Sequence, residues 1–332
     1  MNSFEYASPE TEAEALELLN ENQADTAVLA GGTDLVSLLK SDLLAPGRVV
    51  DIKNVESLRG IAPTDEGGLT IGTLTTLEDM ADSPLLADYR SLSDVIEEVR
   101  SIQVQSMGTV GGDLCHLPNC WYFRNGHGLL GTDGGESLVA AGDNRYHAIF
   151  GNSGPAKFVS ASRFAPALIA WGATVRVVGP APDAVEMIPL EYFYVTPKTP
   201  NQGVTVLKPG QLLTHVVLPS PDSLRSATYE VMQMRGLDWP LAGAAATLDL
   251  VGGIVRSAKI VLGHVAPTPW IADEAASALV GKSLNESTAE AAADVAVARA
   301  TPLSSNEYKV QLARTSVKRA ILRAGDLLEG GL

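Results

Sequence analysis

The chain opens on alternating strand and helix patterns. Phe4 and Tyr6 suit a short strand, Ser8-Pro9-Glu10 a helix start, and Ala13, Leu16 and Leu19 one face of a helix. The apolar run "TAVLA" (26–30) predicts a buried strand, Gly31-Gly32-Thr33-Asp34 a turn, "LVSLLK" a helix and "RVVDI" (48–52) a third strand. Residues 1–57 therefore read as a small βαβ unit. Over 58–179 the pattern changes. "GLTIG" is a strand, Thr75 or Thr76 caps a helix, "LLADYRSLSDVIEEVRS" is helical, and "PALIAWGATVRVVG" supplies a helix end and a strand. Between them, 115–157 is long, rich in Gly, Asn and Asp, and poor in periodicity. Loops of that length are usually functional or bound to a partner. Pro180 to Pro182 reads as a linker, and 183–332 alternates strands with helices as a third unit. The expected class is α/β (α+β) in three parts.

Composition narrows the function. With 332 residues, 45% of them hydrophobic and 19% charged, this is a globular chain with room for two or three cores. A net charge of −15 disfavours binding to nucleic acid or to an anionic membrane. No apolar run reaches the length of a membrane span, and the acidic, polar start lacks the features of a secretory signal. Two cysteines, Cys115 and Cys120, make no disulfide framework, so a reducing cytoplasm is the expected compartment. Their C-x4-C spacing matches no common zinc site. The last helical stretch carries Lys309, Arg314, Lys318, Arg319 and Arg323, as either a docking face or a solvated amphipathic helix.

Two glycine turns carry the candidate chemistry. "LAGGTDL" (29–35) and "TVGGDL" (109–114) each follow an apolar or β-branched run and enter a helix. Such a turn leaves backbone N–H groups free and has no Cβ to keep an anion away. One turn is structural punctuation more often than a site; two suggest a grip on both phosphates of a dinucleotide. Neither has the G-x-G-x-x-G spacing of a nicotinamide-binding Rossmann turn, and Walker A, H-E-x-x-H and G-x-S-x-G are absent.

Taken in order, "AGGTDLVSLLK", "GTVGGDLC", "CWYFRNG", "NRYHAIFG", "APALIAWGATVRV" and "LGHVAPTPW" resemble the FAD-binding medium subunit of molybdenum hydroxylases, the xanthine dehydrogenase and carbon monoxide dehydrogenase family. Within it, the CWYFR and YHAIFG elements resemble the branch that includes the aldehyde oxidoreductase and 4-hydroxybenzoyl-CoA reductase flavin subunits. The resemblance implies a vanillyl-alcohol-oxidase type of FAD-binding fold in two subdomains, followed by a C-terminal α/β domain. It also implies two pyrophosphate loops, Leu29, Ala30, Gly31, Gly32, Thr33, Asp34 and Leu35 being the first, and Thr109, Val110, Gly111, Gly112, Asp113 and Leu114 the second. Tyr194 is the aromatic expected near the isoalloxazine. The implied partners are a molybdopterin-binding large subunit and a small subunit with two [2Fe–2S] clusters, in an (αβγ)2 assembly. The implied activity is oxidoreductase electron transfer from those clusters through FAD to an external acceptor. The alternative is a stand-alone flavin oxidoreductase whose substrate pocket the 115–157 loop would line.

Departures from the family pattern carry expectations of their own. Gln105 stands where the family has Arg, and Asp113 where it has Asn. An acid beside pyrophosphate is unfavourable unless it turns to the ribityl hydroxyls. The loop 121–157 holds no cysteine, so no iron–sulfur cluster and no metal is expected in this chain. Trp121, Tyr122 and Phe123 would stack on FAD, meet a subunit or form a loop core. Valine at Gly32 or Gly111 is expected to strip the flavin while leaving a folded chain.

Overall fold

The computed structural model describes residues 1–21, 25–181, 183–236 and 238–328. The βαβ pattern at the start forms a parallel sheet of β1 (Glu5–Ala7), β2 (Thr26–Leu29) and β3 (Arg48–Asp51) in the order β1-β3-β2, with Leu29 opposite Asp51. The first helix, Glu12–Glu21, starts after Thr11, whose hydroxyl accepts from the Glu14 amide at 3.2 Å. It buries Ala15 and Leu16 against Val50, Ile52, Val55 and Leu58, and Leu74, Val178 and Leu212 of the next layer join this core.

The second sheet is antiparallel, in the order β4-β5-β10-β8-β9, from β4 (Ile61–Pro63), β5 (Leu69–Gly72), β8 (Thr174–Val178), β9 (Val185–Pro189) and β10 (Leu212–Leu218). The hairpin of β6 (Thr132–Asp133) and β7 (Glu136–Ser137) lies inside the long loop. The expected linker at 180–182 is not where the sheets divide. Val178 pairs with Val185 and the Gly179 amide donates to Ala184 O at 2.9 Å, so the described residues of this stretch form a hairpin reversal. Pro182 lies outside the described residues. A break placed by proline content alone cuts β9 and β10 from their sheet, and the third sheet begins only at Leu224.

That third sheet is an antiparallel meander of β11 (Leu224–Val231), β12 (Ala242–Val251), β13 (Ile254–Gly263) and β14 (Trp270–Ile271). Strand alternation sorts β12 between two cores: Ala242, Ala244, Ala246 and Leu248 face the C-terminal helices, while Ala245 faces the middle core. Between the second and third sheets lies the helix Phe164–Trp171, buried at all eight positions. A helix apolar on every side belongs inside. A Cβ on Gly263 would stand 2.8 Å from Pro166 Cγ, so the third sheet approaches this helix through a bare backbone.

The five cations of the last helix, Tyr308–Ala324, are all engaged within the chain. Arg314 pairs with Glu290 and Asp294, Lys318 with Glu286 and Glu290, and Arg323 with Asp94. Arg319 donates to the Tyr229 hydroxyl. Lys309 is buried and donates to the carbonyls of Tyr146, His147 and His264. Burial pushes its pKa down to about 7.

Candidate functional site

The first glycine turn ends β2, and Gly32, at φ +75°, lets the chain reverse into the helix Leu35–Lys40. Among the described residues, the amides of Gly31, Gly32 and Thr33 donate no hydrogen bond. All three residues line one hollow with Asp34, Leu35, Thr109, Gly112 and His116. Unpaired backbone donors in a concave wall call for an acceptor that is not part of the chain.

The second turn is built differently. Val110 and Gly111 donate to the carbonyls of Thr75 and Thr73 at 3.1 and 3.0 Å, Gly112 donates to Thr109 Oγ1 at 3.1 Å, and Asp113 to Thr109 O at 2.9 Å. Its amides are therefore satisfied, contrary to the reading of both turns as free-amide sites.

The glycines also differ in what their missing side chains permit. A Cβ on Gly31 would stand 1.7 Å from Met107 O, and one on Gly111 would stand 2.5 Å from Thr73 Cβ and 2.9 Å from Thr73 O. Both admit the chain's own backbone, so the expectation that Gly111→Val would leave the fold intact is corrected. Gly112 is the exception: it is exposed, and a Cβ there would meet only Thr109 Oγ1, at 3.0 Å.

Asp113 lines the cleft beside Gly112, while its carboxylate turns to the start of a helix. Its carboxylate accepts from the Ser162 hydroxyl and from the amides of Arg163 and Phe164 at 3.0 and 3.1 Å, closing the start of the helix Phe164–Trp171. Burial raises its pKa against those donors. Val110 and Leu114 are buried in the middle core. Tyr194 sits behind the second turn, its hydroxyl donating to Leu114 O at 3.1 Å, and it supports that turn from the core side.

Gly112 is common to three hollows that run together as one cleft. One, of about 180 Å³, lies against Val99, Phe164, Arg163 and Trp239. The second, of about 220 Å³, lies under the first turn. The third, of about 190 Å³, lies against Ala30, Ile52, Leu207, Leu212 and Leu213. The cleft thus has one largely apolar end, one mixed end that carries Arg163, His116 and Asp238 beside Val99, Phe164 and Trp239, and a waist of bare backbone, where Ala30, Gly31 and Thr33 face Thr109 and Gly112. An elongated molecule with a diphosphate between two flat ring systems matches that distribution, and a Cβ at Gly112 would fill the waist.

Of the long loop, Cys115, His116 and Leu117 line the cleft. Beyond them it turns away. Trp121 packs edge-on to Tyr146 at 5.2 Å, Tyr122 lies 5.6 Å from His147, and Phe123 is buried. The aromatic triplet is thus largely a loop core. Asn144 and Asn152 tie the loop to Ser304, Ser305 and Thr301. Arg124 returns to the first turn, donating to Asp34 Oδ1 at 2.7 Å. Met107, Thr73, Arg124 and Trp239 were not marked as site residues by sequence. Arg124 alone carried a signal, as part of the CWYFR motif.

The two thiols are held in the protonated form. Burial and then the Asp113 charge push Cys115 up to about 12, and burial raises Cys120, whose Sγ lies 3.1 Å from His147 Nε2. Iodoacetamide at pH 8 is expected to leave both unmodified in the native chain and to label both after unfolding. Intact-mass measurement checks this, and rapid native labelling of Cys115 would contradict it.

Residues 2–221 match the family model described as the FAD binding domain in molybdopterin dehydrogenase, and residues 227–324 match the CO dehydrogenase flavoprotein C-terminal domain. The division between them falls next to Leu224, where the third sheet begins. The chain is 29% identical to the carbon monoxide dehydrogenase medium chain of Afipia carboxidovorans, covering 97% of this chain and 96% of that one. It is 28% identical to the aldehyde oxidoreductase FAD-binding subunit of Escherichia coli, covering 98% and 99%. Among solved structures, quinoline 2-oxidoreductase from Pseudomonas putida superposes with a TM-score of 0.76 at 26% identity, covering 98% of this chain and 99% of that chain.

Proposed function

This chain belongs to the FAD-binding medium-subunit family of the molybdenum hydroxylases, and from that premise we propose that it carries electrons, through FAD in the cleft described above, from a partner's [2Fe–2S] clusters to an external acceptor. The observation that carries the reading is the waist of the cleft, where the unpaired amides of Gly31, Gly32 and Thr33 lie across from bare Gly112. Those residues are the proposed diphosphate contacts, with Ala30 and Leu35 beside them. Asp113, Leu114 and Tyr194 are proposed to act from behind, by fixing the second turn.

FAD supplies chemistry that no side chain has, exchanging electrons one or two at a time. The chain's share is to bind, orient and shield it. The satisfied second turn gives a rigid wall, and the unpaired first turn gives backbone donors. In a chain of net charge −15 this places affinity in backbone geometry rather than in bulk electrostatics.

The proposed partners are a molybdopterin-binding large subunit, which would carry the organic substrate, and a small [2Fe–2S] subunit, in an (αβγ)2 assembly. The proposed domains are 1–57, 58–221 and 224–328. The test is purification of the chain alone and with the products of its neighbouring genes. Expected are close to one FAD per chain in both preparations, and flavin reduction by an organic donor only in the complex. Substrate-driven reduction of flavin in the isolated chain would overturn the electron-transfer role in favour of a stand-alone oxidoreductase.

A further inference from the structure

Asp34 stands at the N-cap position of the helix Leu35–Lys40, where a carboxylate ordinarily accepts from the amides two or three residues on, here those of Val36 and Ser37. Here it accepts nothing from that backbone. It is held instead by Arg124 Nη1 at 2.7 Å, and Arg124 is itself fixed by donating from Nε to Pro118 O and from Nη2 to Leu117 O, each at 3.1 Å. Both side chains are mostly buried, at 19% and 18% exposure, so the pair is only weakly screened.

We propose that Arg124 is a positioning residue for the cofactor: it fixes the Asp34 carboxylate and cancels its charge in the hollow that Gly31, Gly32 and Thr33 also line, so that a diphosphate can take their amides. The inference rests on the diphosphate reading given above. Without the guanidinium, the Asp34 carboxylate and a diphosphate in the hollow it lines repel one another. With it, the first turn offers unpaired N–H groups beside a neutral pair. The motifs GGTD and CWYFR then work as one device, with His116 Nδ1 3.6 Å from the second Asp34 oxygen.

The test is FAD titration of flavin-free protein, followed by flavin fluorescence, for the native chain and for Arg124→Gln, Arg124→Lys and Arg124→Gln/Asp34→Asn. Arg124→Gln is expected to weaken FAD at least about tenfold at low salt, with the deficit shrinking as salt rises, since charge repulsion is screened. Arg124→Lys, which keeps the charge, is expected within about threefold of native, and the double variant to regain most of the loss. A tie that served only to hold the loop predicts otherwise: no recovery in the double variant and a loss that ignores salt. Either result overturns the proposal. Should Arg124→Gln fail to fold, Arg124→Lys decides alone, and a folded lysine variant about tenfold weaker than native refutes it. If the native chain binds no FAD, the diphosphate reading falls and this inference with it. Native binding with an unaffected Arg124→Gln removes the inference alone.

Discussion

Gly31→Ala is expected to break the cofactor cleft, and Gly112→Ala to block it. The two glycines belong to facing turns, yet their missing side chains do different things. At Gly31 a methyl group would stand 1.7 Å from the carbonyl oxygen of Met107. No rotamer relieves a contact with backbone, so the first turn must move away from the segment that enters the second. Overpacking of this kind costs about 3 kcal/mol or more. Both thermal midpoint and FAD affinity should fall, and Gly111→Ala, against Thr73, should behave the same way.

At Gly112 the chain is helical, within Val110–Leu114, and a methyl group meets only Thr109 Oγ1 at 3.0 Å. Alanine is favoured over glycine in a helix by about 0.5–1 kcal/mol, so the thermal midpoint should hold. The added carbon would occupy the waist shared by the three hollows. FAD affinity is expected to drop about tenfold or more with the fold unharmed. Differential scanning fluorimetry with and without FAD separates the two behaviours. An unfolded Gly112→Ala, or a Gly31→Ala that melts and binds like the native chain, would show that the glycine roles are misassigned.

The same pair of turns shows what the sequence could convey. Their location was legible, because an apolar run ending in Gly-Gly before a polar cap has few local solutions, and β2, β3, β5 and β8 fall where the apolar patterning places strands. What each glycine admits was not legible. The amides of Val110 and Gly111 in the second turn find the carbonyls of Thr75 and Thr73, and the neighbour of Gly31 is Met107, all remote in sequence. A sequence window sees a glycine and a free amide; tertiary packing decides whether that amide stays free. Asp113 repeats the point. Beside a presumed diphosphate it looked like a liability, but its acceptors meet the start of a helix about fifty residues further on, where capping makes it an asset. The misplaced division at 180–182 has a related cause. Proline and glycine mark a turn of the chain, and a turn inside a hairpin has the same composition as a turn between domains.

Glu230→Ala is expected to be the most damaging change outside the cleft. Glu230 stands near the end of β11 and pairs with Arg163, which precedes the helix Phe164–Trp171 and lines the hollow that Trp239 also lines. Their side chains are 3% and 9% exposed. Removing one partner of a buried pair leaves the other as an uncompensated charge, at a cost of about 3–5 kcal/mol. No nearby acid can take the place of Glu230 without abandoning its own partner: Glu98 is clamped by Arg235 through Nε at 2.9 and 3.0 Å and again through Nη2. His264 offers Glu230 no second cation either. Its Nε2 lies 3.9 Å away, but burial and then the Arg163 charge hold its pKa down at about 3, so it stays neutral. The Arg163 amide also donates to Asp113 in the second turn, so disorder at Arg163 would spread into the cleft wall and loosen FAD. Urea unfolding of Glu230→Ala should show the full loss. The joint change Arg163→Met with Glu230→Leu removes both charges and keeps the volume, so it should recover most of that stability. Recovery with poor FAD binding would assign Arg163 a contact with the cofactor; recovery of both would make the pair a structural brace between the second and third sheets. A Glu230→Ala chain within about 1 kcal/mol of native would mean that water reaches the guanidinium after all.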